Sequence, residues 1–348
     1  MALLGLLVGG CSDNSEPTPP NQGSRSYAMG FSGFPPRPDQ AQAVRTLELW
    51  TGRADLAIVH EEFPWTDLLA GRSPDSLVRA QKQGLIDYFR GKGLALIFVA
   101  DATDGLSRGE DPPQLRAAGR SMTEPAIQGL FRAWVRAFVD AFHPEYVALG
   151  AETNLVRLLA PPGLYQAAVA AANAAAADLA VAPNPPALFV TIQVEAAWGK
   201  FSTGSFIGVG QDLADFPFAE LLGLSSYPYF VWATPAALPD DYYQRIVASS
   251  GLPVIVTEGG WPSESGPTFS STPGRQAEYL GRQAELLDRV DALGIVQLQF
   301  TDIDLESFPE ELREPARPFA RLGLVDADLH PKPALAVWDS LFALDKER

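Results

Sequence analysis

Cysteine is almost missing from this 348-residue chain: there is one, at position 11. That excludes an intramolecular disulfide and a cysteine-based zinc site. Histidine is nearly as scarce, with three. With so few imidazoles a multi-histidine metal centre is not expected, nor is any other metal or cofactor. No apolar run is long enough to span a bilayer. Positive charge is the minority, with 26 Lys and Arg against 42 Asp and Glu and a net charge of −16. A polyanion would be repelled, so nucleic acid is not an expected partner. A phosphate-binding P-loop is absent, and neither Ser205 nor Ser265 sits in a Gly-x-Ser-x-Gly elbow. What is present is an ordinary globular composition, 47% hydrophobic and 20% charged, with enough apolar material for one large core.

Short β-type runs alternate with longer helical ones. Strands are expected at Tyr27–Phe31, Ala54–His60, Leu94–Asp101, Tyr146–Gly150, Ala187–Val194, Leu221–Ser226, Pro253–Glu258 and Ile295–Thr301. Most are continuously apolar, as in Ala95-Leu96-Ile97-Phe98-Val99, which suits parallel strands buried on both faces. Between them, Ser73-Pro74 opens a helix, and Glu124 to Phe142 carries apolar residues at a 3.6-residue rhythm. Leu164–Val181 and Pro273–Leu293 are further long helical segments. Eight strand–helix units with no break in composition predict a single (β/α)8 barrel over residues 26–348. A doubly wound open sheet is the rival, disfavoured because no Gly-rich phosphate loop follows the first strand.

The N-terminus is set apart. Residues 2–9 are apolar or small and lead into Val8-Gly9-Gly10-Cys11, which resembles a bacterial lipobox. The resemblance implies a lipoprotein signal peptide over residues 1–11, lipidation at Cys11, and a lipid-anchored location in the bacterial cell envelope. Residues 12–25 are polar and Pro-rich and read as a flexible tether. The membrane would be a partner only through that anchor.

In such a barrel, chemistry sits where strands end and βα loops begin. Strand two ends at His60-Glu61-Glu62, strand three at Asp101, and strand four at Gly150-Ala151-Glu152-Thr153-Asn154. Strand five ends Gln193-Val194-Glu195, strand six Ser226-Tyr227-Pro228, strand seven Thr257-Glu258-Gly259-Gly260-Trp261 and strand eight Thr301-Asp302. This collects carboxylates, amides and aromatics on one rim, the mixture a sugar site uses. Glu152 and Glu258, following strands four and seven, are the candidate pair. Retaining glycosidases hold two carboxyls roughly 5–5.5 Å apart, as nucleophile and acid/base, and inverting ones hold them about 6.5–9.5 Å apart to leave room for water; the residues alone leave both open.

These residues resemble the glycoside hydrolases of clan A, retaining (β/α)8 enzymes. Thr257-Glu258-Gly259-Gly260-Trp261-Pro262 is similar to the nucleophile segment of family 17 β-1,3-glucanases and family 53 endo-β-1,4-galactanases. Gly223-Leu224-Ser225-Ser226-Tyr227-Pro228 resembles the sixth strand of the galactanases. Gly323-Leu324-Val325-Asp326 with Pro331-Lys332-Pro333 and Trp338 is similar to the clan's closing segment. The resemblance implies Glu258 as nucleophile and Glu152 as acid/base, acting on a β-galactan or β-glucan class of carbohydrate. Tyr227 would bond the nucleophile. His60, Asp101, Asn154, Gln193, Glu195 and Trp261 are the expected substrate contacts, with Trp65, Trp198 and Trp232 as further sugar platforms. Two departures stand out: Ala151 replaces the Asn that usually precedes the acid/base, and Phe300 replaces a common strand-eight Trp. Ala151 allows an altered substrate, a reduced rate or an inactive relative, and so the alternative of a non-catalytic glycan-binding lipoprotein; the resemblance to family 17 adds a transglycosylase as a further alternative. The loops at 102–122, 198–217 and 302–318 are long for a compact barrel.

Overall fold

A computed structural model of the chain describes residues 23–60 and 62–347. Cys11, the expected signal segment, residues 12–22 of the expected tether and Glu61 lie outside the described residues. Eight parallel strands close on themselves: β1 Ala28–Ser32, β2 Leu56–His60, β3 Ala95–Val99, β4 Tyr146–Ala148, β5 Ala187–Gln193, β6 Leu221–Ser226, β7 Val254–Gly259 and β8 Gly294–Gln297. Closure comes from β8 pairing back to β1, with Met29 opposite Ile295 and Gly30 opposite Val296. A helix returns the chain after each strand: α1 Gln40–Trp50, α2 Pro74–Gly91, α3 Pro125–Phe142, α4 Pro162–Leu179, α5 Gly210–Asp215, α6 Gln244–Ser250, α7 Pro273–Asp288 and α8 Pro333–Phe342. The (β/α)8 architecture expected from the alternation is the one observed.

Every expected strand is present, and the differences fall at its ends. The fourth stops at Ala148 rather than Gly150 and the eighth at Gln297 rather than Thr301. The residues beyond have left the ladder for the loops that carry polar side chains. Proline fixes several helix starts. Pro125, Pro162 and Pro273 each occupy a first-turn position, where a missing N–H costs nothing. Pro162 therefore starts α4 two residues before the expected Leu164.

Two hydrophobic layers hold the barrel. Inside it, Leu56, Ile58, Ile97, Phe189, Ile255 and Val296 fill the lumen. Outside it, strand residues meet the helices. At the first and last units, Phe31 packs on Trp50, Trp338 and Phe300 with ring centroids 5.7, 4.4 and 5.2 Å apart. Phe300 is thus committed to the core.

The expected tether ends earlier than residue 25. Ser24–Arg25 forms a short parallel pairing with Asp345–Lys346. Arg25 is buried and donates to the Tyr27 carbonyl and to Asp55 Oδ2, both at 2.7 Å. A buried guanidinium needs its carboxylate, and this one draws the chain onto the barrel floor before β1 begins.

Candidate active site

Thr257-Glu258-Gly259-Gly260 closes β7 in a geometry that depends on its two glycines. The β6–β7 register shifts between Leu224 and Ser225, so Ser225 opposes Glu258 and Thr257 is the extra residue. Such bulges re-aim side chains beside functional sites. Gly259 and Gly260 follow with φ of 156° and 148°. A Cβ on Gly259 would stand 2.6 Å from the Ser226 carbonyl, and one on Gly260 2.7 Å from Gln297 Nε2. The paired glycines let the chain turn tightly while Glu258 faces the barrel mouth.

Glu152 is delivered differently. It caps the short helix Thr153–Leu159 with φ 45° and ψ 48°, the left-handed region. For a residue with a Cβ that conformation is strained. Its N–H donates to Thr191 Oγ1 at 2.7 Å and its carbonyl accepts from Leu155 and Val156, which fix the turn. Strain of this kind concentrates where a side chain must point in one direction.

Around these two glutamates runs a continuous chain of charges. Tyr227 Oη donates to Glu258 Oε2 at 3.0 Å. His60 Nδ1 lies 3.1 Å from Glu258 Oε1, and its Nε2 lies 3.2 Å from Asp101 Oδ2. Arg108 pairs with that same Asp101 oxygen through Nη1, and its Nε donates to Glu152 Oε2 at 2.8 Å. The His60–Glu258 contact is an ion pair whose alignment falls outside hydrogen-bond geometry, leaving the buried Glu258 Oε1 without a hydrogen bond. Glu152 and Glu258 are each 7% exposed and Arg108 5%.

Burial and these partners drive the two glutamates apart. Burial raises the pKa of Glu152, and the Glu258 and Asp101 charges push the same way; only Arg108 opposes them. Burial would also raise Glu258, but His60, Arg108 and Tyr227 outweigh it and hold the carboxyl below its ordinary value. His60 is pushed up to about 9: burial disfavours its charge, and Asp101 and Glu258 more than compensate. Asp101 lies well below the usual carboxylate range, because Arg108 and His60 overcome its desolvation. Three carboxylates therefore share two cations, His60 and Arg108. The set is neutral when one proton remains, and the environments place that proton on Glu152.

Of the residues expected from sequence, His60, Asp101, Glu152, Tyr227 and Glu258 come together. Four others do not face that group. The Asn154 side chain is spent on the Gln193 backbone: its Nδ2 donates to the Gln193 carbonyl and its Oδ1 accepts from the Gln193 N–H, both at 2.8 Å. Gln193 spends its side chain on Ala196 N and, at 2.5 Å, Glu195. Glu195 is fully buried, takes the Tyr242 hydroxyl and the Tyr227 N–H, and is pushed by burial up to about 7. Trp261 is 1% exposed and donates to Ser271 Oγ at 2.9 Å. The side-chain polar atoms of these four are bonded within the protein, behind the charged group. Trp65 and Trp198 are likewise core residues, packed on Phe63 and Tyr242, while Trp232 is half-buried. Tyr227 is bounded by Phe319 at 5.2 Å, which comes from the long loop after β8.

Arg108 went unnoticed in the sequence. It lies mid-loop with no local motif. Its position is set by Asp104, whose Oδ1 accepts from Leu106 and Ser107 N–H at 2.9 and 3.1 Å while Arg116 holds Oδ2. One signal was available: three strand-end carboxylates around a single mouth require a buried cation. The acidic run Asp302–Glu306 is paired with Lys332, Arg37 and Arg313. Among the described residues no cluster of His, Cys, Asp and Glu has the arrangement of a metal site.

No known protein-family signature matches the chain, and no curated protein is similar in sequence. Solved structures do share its fold. An exo-β-1,4-mannosidase from Opitutaceae bacterium strain TAV5 superposes with a TM-score of 0.65 at 16% identity, over 92% of this chain and 59% of that one. Xylanase 10B from Thermotoga maritima gives 0.59 at 14%, over 91% and 95%. A β-glucuronidase from Ruminococcus gnavus gives 0.55 at 15%, over 91% and 49%. The chain thus spans a little over half of the mannosidase. What the chain shares with these enzymes is the (β/α)8 fold.

Two expectations follow. Glu152→Gly will be more stable than Glu152→Ala by about 1 kcal/mol, because glycine adopts the left-handed region without a Cβ clash; equal urea midpoints would remove the strain argument. His60 has a folded pKa near 9 against an ordinary 6.5. Its protonation therefore stabilises the fold fully below pH 6.5, and that contribution is lost as pH rises through about 9. Thermal melts should fall between pH 7 and 9 in the wild type and stay flatter in His60→Gln.

Proposed function

We propose that this protein is a retaining β-glycoside hydrolase. The observation that carries the reading is the pair of buried strand-end glutamates with different partners, Arg108 on Glu152 and His60 with Tyr227 on Glu258, surroundings that raise the pKa of the first and lower that of the second. Paired groups whose environments separate their pKa values are an acid and a base or nucleophile. In the first step a Glu258 oxygen forms a bond to the anomeric carbon as the glycosidic C–O bond breaks. The Glu152 proton passes to the leaving oxygen. In the second step Glu152 takes a proton from water, which attacks the same carbon and returns the bonding pair to Glu258. Tyr227 keeps Glu258 Oε2 in place throughout. The substrate we infer is a β-linked glycan of the galactan or glucan class. The mannosidase, xylanase and glucuronidase neighbours recommend mannan, xylan and glucuronides in the same screen.

Ala151 favours a second reading. It is 2% exposed and brings no amide to the site, and Asn154 and Gln193, which might have substituted, are bonded to each other. A glycan-binding protein needs no amide for the sugar 2-hydroxyl, whose contacts strengthen in the transition state. The two readings separate on one variant. Hydrolysis should disappear in Glu258→Ala, with circular dichroism and melting retained, and wild-type products should show retained anomeric configuration by proton NMR. Binding of oligosaccharides without products, with affinity unaltered in Glu258→Gln, would instead establish the binding protein. Products longer than the substrate would mark transglycosylation.

We further propose that Cys11 anchors the protein in the bacterial envelope. Full-length protein expressed in a bacterium should partition into the membrane fraction, and Cys11→Ser should release it. An unchanged distribution would rule the anchor out.

A further inference from the structure

The loop between β3 and α3 closes on the site through one side chain. Arg108 reaches from the Asp104 turn to Asp101 and to Glu152, the carboxylates that follow the adjacent strands β3 and β4. It is 5% exposed, and the loop behind it is held tightly: a Cβ on Gly109 would stand 3.0 Å from the Leu159 carbonyl of the segment that follows Glu152. An arginine has no acceptor and no removable proton under ordinary conditions. It therefore takes no part in proton transfer itself.

We propose that Arg108 is the positioning residue of the acid/base: by holding Glu152 Oε2 it assigns the transferable proton to Oε1 and stabilises the carboxylate left when that proton departs. This rests on the glycosidase reading above. During the first step Glu258 loses its negative charge on forming the ester, and Glu152 gains one on releasing its proton. The charge thus moves from beside His60 to beside Arg108, and the total within the buried group does not change. Asp101 lies between the two cations and holds both in place. The groups facing Glu152 are Arg108 and Asp101 from the β3 side, Glu258 from β7 and Tyr227 from the end of β6, with His60 one step further through Asp101.

The test uses Arg108→Met and Arg108→Lys, the second keeping the charge and supporting the fold if the first is unstable. Rates are measured on phenyl and 2,4-dinitrophenyl β-glycosides of galactose, glucose, mannose, xylose and glucuronic acid. Glu152 is titrated by carbon-13 NMR of labelled glutamate. Dinitrophenolate leaves without a proton, so its glycosides bypass the acid. Rates on the phenyl glycosides should fall at least about 100-fold in Arg108→Met, the lower end of what general acid catalysis supplies. Rates on the dinitrophenyl glycosides should fall less than about threefold by the same reasoning. Glu152 should titrate at higher pH, carrying the alkaline limb of the pH profile upward, and Arg108→Lys should lie between. Equal losses on both substrates with unchanged Glu152 titration would overturn the proposal and leave Arg108 a purely structural residue. If the wild type hydrolyses none of the glycosides, the glycosidase reading fails. The Glu152 titration then still decides whether Arg108 governs that carboxyl.

Discussion

The mouth of this barrel is organised by the need to bury three carboxylates near one another. Each buried charge without a partner costs several kcal/mol. Asp101, Glu152 and Glu258 cannot all be ionised there without cations between them. Arg108 and His60 meet that requirement, and each touches two of the three acids. Much of the local architecture serves to place those cations. The Asp104 turn directs Arg108 inward. The end of β2 directs His60 across the mouth toward β7. One proton would make up the shortfall of positive charge, and Glu152, whose pKa burial and the neighbouring carboxylates raise while that of Glu258 is lowered, is the group that favours it.

That arrangement explains why the second layer of the site is so fully satisfied. Tyr227 fixes Glu258 only if its own backbone is fixed, and Glu195 accepts its N–H while also taking the Tyr242 hydroxyl. Gln193 then holds Glu195 and is itself held by Asn154. A side chain with this many internal bonds loses them if it turns to a ligand. Pre-organisation of the residues behind a reacting group is worth more than one additional ligand contact when the reacting group must keep its direction.

The sequence made the fold legible because a parallel barrel writes itself as buried apolar runs separated by helices with proline at their starts. All eight strands could be located this way, and so could the two strand-end glutamates. What could not be read was the direction in which each strand-end polar group points. Glu152, Asn154, Gln193 and Glu195 look alike as polar residues at the ends of β4 and β5. The left-handed conformation of Glu152 and the mutual bonds of the others separate them, and no local pattern encodes either. Trp261 misleads for a related reason. Adjacency to Glu258 in sequence suggests the site, but two consecutive glycines turn the chain and send the indole into the core. Arg108 was hidden because its partners lie 7 and 44 residues away, beyond any local window.

Ala151 is the point at which the chain departs most from the pattern its other residues follow, and the network offers a physical account of its consequence. An amide at that position would add a neutral hydrogen-bond donor next to Glu152. Here the neighbouring donor is the Arg108 guanidinium, which is charged and bonded directly to the carboxylate. Charge-assisted hydrogen bonds are roughly twice as strong as neutral ones. On the proposed glycosidase reading, the stabilisation falls on Glu152 as it loses its proton, rather than on a sugar hydroxyl. On that same reading, the site would depend less on the substrate's 2-hydroxyl and more on how basic its leaving oxygen is.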